Sequence, residues 1–320
     1  MMVPNENKLA RLTAVARMYY EQDMTQSDIA KMIDVSRPMV SKLLTEAKEL
    51  GIVTIKINEI LSAQQMLADK LKNFFGLKDA TVIAAEGGGA AVIDKKVALA
   101  TYELLKKSGM QKQFLGVGCG SAVGILSDLA ASGGQPSKKA DGDIFPLIGG
   151  LKASLRSYHT NELVRTLSEA TGFRASYMYL PALATSEEEK QLLVNTELFH
   201  SIEEKWRQVT FAILNVSNLY STPDLATSIR FGRRLTEQRA VGRVLAHYFD
   251  KDGNIIEPEN DNAIQISVEE LKSAERVIAM CSSVVEPRTV LGALRTGLVT
   301  NVVVSDELAM KVCELVEQSV

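Results

Sequence analysis

Two groups of residues have the types and spacing to act on other molecules. The first is Ser36, Arg37, Pro38, Ser41, Lys42 and Thr45, which follow a short turn and share the outer side of a helix predicted to begin near Ser36. Arginine can read a guanine edge through two hydrogen bonds, serine and threonine can bond phosphates or bases, and Lys42 suits a phosphate. Thr25 and Gln26, opening the helix before it, complete a candidate DNA-contacting set. The second group is Gly116-Val117-Gly118-Cys119-Gly120-Ser121-Ala122-Val123, where a strand passes through glycines into a helix. Glycines let a backbone approach an anion, and the free amides of a helix start, with the Ser121 hydroxyl, can hold a phosphate. The spacing is not that of a dinucleotide fingerprint, and no acidic residue is placed on a second strand as that motif requires. A tight strand-to-helix turn without a ligand is the alternative.

Further candidates stand near other predicted strand ends. Gly149-Gly150 follows one; Cys281-Ser282-Ser283 follows another and leads into a helix holding Arg288. Asp250 lies in Tyr248-Phe249-Asp250-Lys251-Asp252-Gly253, where Asp252-Gly253 reads as a hairpin turn that Asp250 could simply support. If the strands are parallel neighbours, the glycine loop, the glycine pair and the serine pair share one sheet edge and can form a pocket.

The elements that must position the first group are legible in TQSDIAKMIDVSRPMVSKLLTEA, residues 25–47. Ile29, Ala30 and Ile33 fall on one face of a first helix; Val40, Leu43 and Leu44 fall on one face of a second. This is a helix-turn-helix, with small Ala30 at the crossing point and Val35 plugging the turn. Thr25 and Asp28 make a capping pair, Ser36 can cap the second helix, and Pro38 is tolerated in its first turn. Asp34 stands where such turns often carry glycine, and tolerates the left-handed backbone required there. Leu9, Leu12, Val15 or Ala16, and Tyr19 mark a preceding helix. Residues 51–57, GIVTIKI, predict a helix stop and a strand, which would make the unit winged and bring Lys56 towards the DNA backbone. A plain helical hairpin with no DNA role is the rival reading.

Beyond residue 57 the texture changes. Leu67, Leu71 and Phe74 mark a connecting helix that packs on its own domain or pairs with its copy in a second subunit. Short apolar runs at 80–84, 114–117, 144–148, 175–180, 210–216, 276–280 and 299–304 read as strands covered on both faces. Helical patterns at 92–107, 122–131, 161–171, 289–295 and 307–317 lie among them. This alternation predicts an α/β fold: a mainly parallel sheet with helices on both sides and ligands at the strand C-termini.

The chain has 320 residues, 46% of them apolar, with 36 Lys/Arg against 39 Asp/Glu and a net charge of −3. That length supports two domains with proper cores, expected at 1–57 and 58–320. Residues 1–57 carry 8 Lys/Arg against 7 Asp/Glu. DNA affinity must therefore come from a local basic face and two half-sites, not bulk charge. Cys119, Cys281 and Cys313 lie far apart, which predicts neither disulfide nor zinc site. The N-terminus does not resemble a signal peptide and no apolar run reaches membrane-spanning length, so a cytoplasmic setting without membrane contact is expected.

Taken in order, TQSDIAKMIDVSRPMVSKLLTEAKELGIV, LGVGCGSAVGIL, FPLIGG, NELVRTLSEATG, AVGRVLAHYFDKDG and LGALRTGLVTNVVVSDELA resemble the SorC/DeoR family of sugar-binding transcriptional regulators along nearly the whole chain. The resemblance implies a winged helix-turn-helix domain joined to a larger Rossmann-like α/β effector domain, related in fold to ribose-phosphate isomerases and glucosamine-6-phosphate deaminases. It implies a sugar or sugar-phosphate effector and a dimer or tetramer on operator DNA, with no cofactor. By position, Gly118, Cys119, Gly120, Ser121 and Ala122 match the family's phosphate-holding loop, and Asp250 matches an acidic residue that contacts effector hydroxyls. Two departures stand out. Where family members often carry Gly-Gly-x-x-Lys, this chain has Ser282-Ser283-Val284-Val285-Glu286, so the expected cation is missing unless Arg288 replaces it. Residues 213–217, ILNVS, lack glycines common at that point. The effector is thus expected to differ in charge from the usual sugar phosphates.

Among the remaining residues, His159 could bond a sugar hydroxyl but reads more readily as a helix-start or surface histidine, and His200 and His247 have no companions suggesting metal or catalysis. Cys119 reads as a packing residue rather than a redox switch. Trp206, amid Glu203, Glu204, Lys205 and Arg207, reads as a solvated helix end, and Glu187-Glu188-Glu189-Lys190 as an exposed helix start. The expected function is transcriptional regulation of carbohydrate metabolism, with operator affinity set by a bound sugar. The rival is a sugar-phosphate isomerase or deaminase with an appended DNA-binding module. Against it stand the missing lysine and the lack of a carboxylate pair or carboxylate-histidine arrangement near the glycine loop.

Overall fold

A computed structural model describes residues 6–53, 62–86, 88–107, 111–133, 140–151, 155–219 and 225–318. The chain forms two compact units, Met1–Ile60 and Leu61–Val320.

The first unit contains α1 (Glu6–Tyr20), α2 (Gln26–Met32) and α3 (Arg37–Glu49). Thr25 caps α2: its hydroxyl accepts from the Asp28 amide at 3.3 Å and donates to the Asp28 carboxylate at 2.6 Å. Asp34 adopts φ 54°, the left-handed turn anticipated for it, and the Val35 amide closes the turn on the Ala30 carbonyl at 2.9 Å. Ser36 occupies the N-cap of α3, but its side chain makes no cap bond. Its own carbonyl accepts the Met39 and Val40 amides instead, so the backbone performs the capping. Ile29, Ala30, Val40, Leu43, Leu44 and Ala47 close over Leu12, Val15 and Ala16 of α1. After α3 the Ile52 and Val53 amides bond the Ala47 carbonyl, and no strand has begun by Val53. The expected wing and Lys56 lie outside the described residues.

In the second unit the order is α4 (Ala63–Phe75), β1 (Asp79–Ile83), α5 (Ala90–Lys107), β2 (Gln111–Val117), α6 (Ser121–Ser132), β3 (Asp141–Pro146), α7 (Thr160–Thr171), β4 (Arg174–Ala175), α8 (Glu187–Val194) and α9 (Glu197–Arg207). There follow β5 (Phe211–Asn218), α10 (Leu225–Phe231), α11 (Arg234–Glu237), β6 (Ala240–Val244), β7 (His247–Asp250), β8 (Ile255–Ile256), α12 (Val268–Ser273), β9 (Arg276–Met280), α13 (Pro287–Arg295), β10 (Asn301–Ser305) and α14 (Asp306–Glu317). Seven strands run parallel in the order β1-β10-β9-β5-β2-β3-β4, with Leu115 opposite Phe211 on one side and Ile144 on the other. The C-terminal part of β5 pairs antiparallel with β6, which starts a ribbon through β7 and β8. Leu115, Ile144, Ala212, Ile213, Val277, Ala279, Val302 and Val303 are all fully buried, as continuous apolar strands covered on both faces must be.

Two expectations change. Of the run at 175–180 only Ala175 joins the sheet, in β4 (Arg174–Ala175). Beyond it the Ser176 amide still bonds the Ile144 carbonyl at 2.8 Å, the backbone then leaves the ladder, and it meets Gly150 in an isolated parallel bridge at Pro181. Trp206 is no solvated helix end. It is 2% exposed and its indole N–H donates to the Pro146 carbonyl at 2.9 Å. Ile202 and Trp206, four residues apart, form the buried stripe of α9, while the charged neighbours occupy its other faces. One of these, Lys205, reaches Asp143 at 2.6 Å alongside Arg174 at 2.8 Å. Burial pushes the Asp143 carboxyl up, but those two cations outweigh it and hold the group below its ordinary range.

Candidate DNA-reading helix and sheet-edge site

Helix α3 is amphipathic by construction. Val40, Leu43, Leu44 and Ala47 are buried, while Arg37, Pro38, Ser41, Lys42 and Thr45 are exposed. Ser36 and Thr25 are exposed beside them and Gln26 is half-buried. Thr45 donates to the Ser41 carbonyl at 3.1 Å, which leaves the hydroxyl oxygen outward. Among the described residues neither Arg37 nor Lys42 forms an ion pair, whereas Glu46 on the neighbouring face pairs with Lys8 of α1. Both cations are therefore available to an external anion.

The second site is built by four neighbouring strand ends. In the order β9-β5-β2-β3, the glycine loop leaves β2, the glycine pair follows β3, and the serine pair follows β9. The end of β5 lies between the first and the last, a position that sequence reasoning did not include in the site. Asn215 there is 5% exposed. Its Oδ1 accepts the Ala122 amide at 2.9 Å, and its Nδ2 donates to the Ser217 hydroxyl at 2.7 Å and the Val216 carbonyl at 3.1 Å. Gly120, at φ 132°, accommodates this side chain: a Cβ there would stand 2.5 Å from the Asn215 carboxamide carbon. The visible signal for Asn215 was the absence of glycine across residues 213–217.

Two other amides of the loop are also committed. Gly118 donates to the Ile213 carbonyl at 2.9 Å and Gly120 to the Ser157 carbonyl at 2.9 Å. Ser121 is exposed at the start of α6, and its hydroxyl has no partner among the described residues. It lines a cleft of ≈ 280 Å³ with Gly124, Asp128, Arg156 and Ser157. Arg156 is held there by Asp128, with Thr166 at 3.1 Å. Cys119 is buried, and burial pushes its thiol up to about 11, against a smaller opposing effect of the Arg243 guanidinium. It is a packing residue in this state, not a thiolate.

The glycine pair behaves differently from an anion cradle. Gly149 donates to the Ile264 carbonyl at 3.0 Å and Gly150 to the Leu180 carbonyl at 2.8 Å. A Cβ on Gly149 would lie 2.4 Å from the Pro181 carbonyl oxygen, so glycine here permits two backbones to approach. Gly150 nevertheless borders a cleft of ≈ 560 Å³ lined by His159, Asn161, Tyr177 and Tyr179. The tyrosine rings lie 6.4 Å apart, and Tyr179 is 73% exposed. His159 occupies the N-cap of α7 without a side-chain cap bond.

Asp250 supports its own turn: Oδ1 accepts the Asp252 and Asn254 amides, both at 2.9 Å, and Oδ2 accepts from Asn254 Nδ2 at 2.8 Å. Its backbone lies against Gly292 of α13. Arg288 is exposed in the first turn of α13. At the end of β9, Cys281 is buried and its thiol is pushed up to about 12, while the Ser283 amide donates to Asp94 at 2.6 Å. Glu286 is exposed at the N-cap of α13, its amide tied to Asn218 at 2.9 Å. A separate cavity of ≈ 430 Å³ is lined by Arg230, His247, Lys190 and Asp261. Burial drives the His247 pKa down, and its Nε2 lies 2.9 Å from the Ile266 carbonyl. No group of three metal-ligating side chains, and no helix long and apolar enough to cross a membrane, occurs among the described residues.

Comparison with known proteins sets this geometry in context. Residues 61–314 match the protein family described as "Putative sugar-binding domain". The deoxyribonucleoside regulator of Bacillus subtilis is 27% identical over 299 residues, covering 91% of this chain and 93% of the relative. The sorbitol operon regulator of Klebsiella pneumoniae is 25% identical over 315 residues, covering 95% and 98%. The crystal structure of that full-length regulator superposes with a TM-score of 0.69 at 24% identity, over 97% of this chain and 100% of the other. A DeoR family transcriptional regulator from Listeria monocytogenes superposes with a TM-score of 0.67 at 26% identity, over 78% and 100%.

Proposed function

This chain belongs to the sugar-binding-domain family of SorC/DeoR-type regulators, and from that membership we propose that it is a transcription factor of carbohydrate metabolism. In this reading residues 1–57 form the winged helix-turn-helix that grips operator DNA. Residues 58–320 bind a sugar-type effector and hold the subunits together as a homodimer or homotetramer in the cytoplasm. The observation that carries the DNA half is the division of α3 into a buried apolar face and an exposed face with Arg37, Ser41, Lys42 and Thr45. A helix held from behind and free in front can enter a major groove, Arg37 reading bases and Lys42 meeting phosphate.

The effector half rests on the sheet edge. Ligands of open parallel sheets bind outside the strand C-termini, and there stand Gly118, Cys119, Gly120, Ser121, Ala122, Gly149 and Gly150, with Arg288 in the first turn of α13. Ser121 supplies an outward hydroxyl, and Tyr177 and Tyr179 supply apolar ring faces beside Gly150. The mechanism is linkage. An effector that prefers one arrangement of subunits by about 1–3 kcal/mol changes operator affinity roughly 5- to 150-fold. Gel-shift titration with sugars and sugar phosphates tests it: a carbohydrate that shifts operator binding supports the reading. Protein that binds operator identically with every carbohydrate refutes it.

A further inference from the structure

Resting on that effector reading, the geometry at the end of β5 points to a narrower ligand class: we infer that Asn215 competes with phosphate for the glycine loop, by taking the Ala122 amide, and so favours an uncharged sugar or polyol. A helix start binds phosphate because several backbone amides converge on it with no internal acceptor. In this chain Ala122, in the first turn of α6, already donates to Asn215 Oδ1 at 2.9 Å, and Gly118 and Gly120 donate to backbone carbonyls at 2.9 Å each. The Asn215 carboxamide oxygen thus holds a position that a phosphate oxygen would need.

That side chain is not free to leave. Its Nδ2 is fixed by the Ser217 hydroxyl and the Val216 carbonyl, and these partners also determine which end of the amide faces Ala122. Glycine at 120 is shaped around it, a Cβ there colliding at 2.5 Å. Displacing a buried amide would leave it without its partners.

Arg288 stands exposed in the first turn of α13, whereas the two cations beside the glycine loop are engaged by acceptors of the protein. Arg156, beside Ser121 in the same cleft, is held by Asp128 and Thr166. The Arg243 guanidinium, within electrostatic reach of Cys119, donates to the Leu245 carbonyl at 2.6 Å. At the end of β9, Glu286 adds an exposed carboxylate. What the loop still offers is the Ser121 hydroxyl, which suits a ligand hydroxyl, with the Cys119, Ser121 and Val123 amides, which have no acceptor among the described residues.

Calorimetric titration of the full chain tests this with inorganic phosphate and with matched pairs: sorbitol and sorbitol 6-phosphate, erythritol and erythritol 4-phosphate, 2-deoxyribose and 2-deoxyribose 5-phosphate. The unphosphorylated member of a pair is expected to bind at least about tenfold tighter, the loss of one charge-assisted bond. Inorganic phosphate is expected to bind the wild-type protein without saturation. Asn215→Gly, and independently Asn215→Ser, are expected to bind inorganic phosphate roughly 10- to 100-fold tighter than wild type. A wild-type preference for the phosphorylated member, or Asn215 variants no better for phosphate than wild type, overturns the inference and leaves the sugar-regulator reading standing. Failure of every carbohydrate to bind or to change operator affinity overturns both.

Discussion

Replacing Arg37 and Lys42 singly by alanine separates two kinds of DNA contact on one helix face. Both side chains are exposed and outside any described ion pair, so each variant should keep its stability to within about 0.5 kcal/mol. Lys42 is assigned one phosphate. Its removal should lower the slope of log K against log salt by about 0.9 per subunit, or about 1.8 for a dimer on two half-sites. That loss should be the same on operator and on scrambled duplex. Arg37 is assigned a guanine edge, worth about 1–3 kcal/mol at each half-site. Its removal should weaken operator binding roughly 5- to 150-fold per half-site while leaving scrambled duplex nearly unchanged. Fluorescence anisotropy, on a duplex selected by the wild-type protein from a random pool, gives both numbers between about 50 and 200 mM salt. If Arg37→Ala weakened both duplexes alike, or if neither variant changed affinity, the assignment of this face would be wrong.

Other expectations concern the frame around the two sites. Ala30→Leu overfills the buried crossing of α2 and α3 and should destabilise the first unit by about 1–3 kcal/mol in denaturant melts; an unchanged midpoint would contradict the tight crossing. Trp206→Phe removes the donor to the Pro146 carbonyl and should cost about 1–3 kcal/mol, whereas a neutral result would mean the indole bond is dispensable. Asp143 has a folded pKa below its unfolded value of about 3.9. Its pairing with Lys205 and Arg174 should therefore stabilise the fold above about pH 4 and fade as acid protonates it. Urea melts at neutral and acid pH should show the advantage over Asp143→Asn shrinking; a constant difference would refute the ion-pair account. Native Cys119, with its thiol near 11, should react with iodoacetamide at neutral pH far more slowly than in the unfolded chain, and equal rates would deny its burial.

The helix-turn-helix was legible because its determinants are local. Thr25 with Asp28, the left-handed Asp34, Pro38 in a first turn and the apolar spacing of Ile29, Val40, Leu43 and Leu44 all act within a few residues of themselves. The parallel strands were legible for a related reason: runs such as Val302-Val303-Val304 are buried on both faces. What escaped depends on distant partners. Nothing near Trp206 in the chain announces the Pro146 carbonyl sixty residues away, so its charged neighbours suggested solvent. Gly149-Gly150 read only as a pocket candidate at a strand end, because the backbone contacts that require glycine at 149 come from the distant Pro181 and Ile264. Asp250 carried both a ligand reading and a turn reading, and its three bonds to Asp252 and Asn254 favour the turn. Asn215 was visible only as missing glycine, because its meaning is a contact with Ala122, 93 positions away.

The most direct test of the account is reciprocal titration of one protein with two ligands. Operator affinity is measured without carbohydrate and with it at saturation, and carbohydrate affinity is measured with and without operator. The account predicts that both affinities change by the same factor, roughly 5- to 150-fold. A carbohydrate that saturates the second unit while operator affinity stays constant would contradict it.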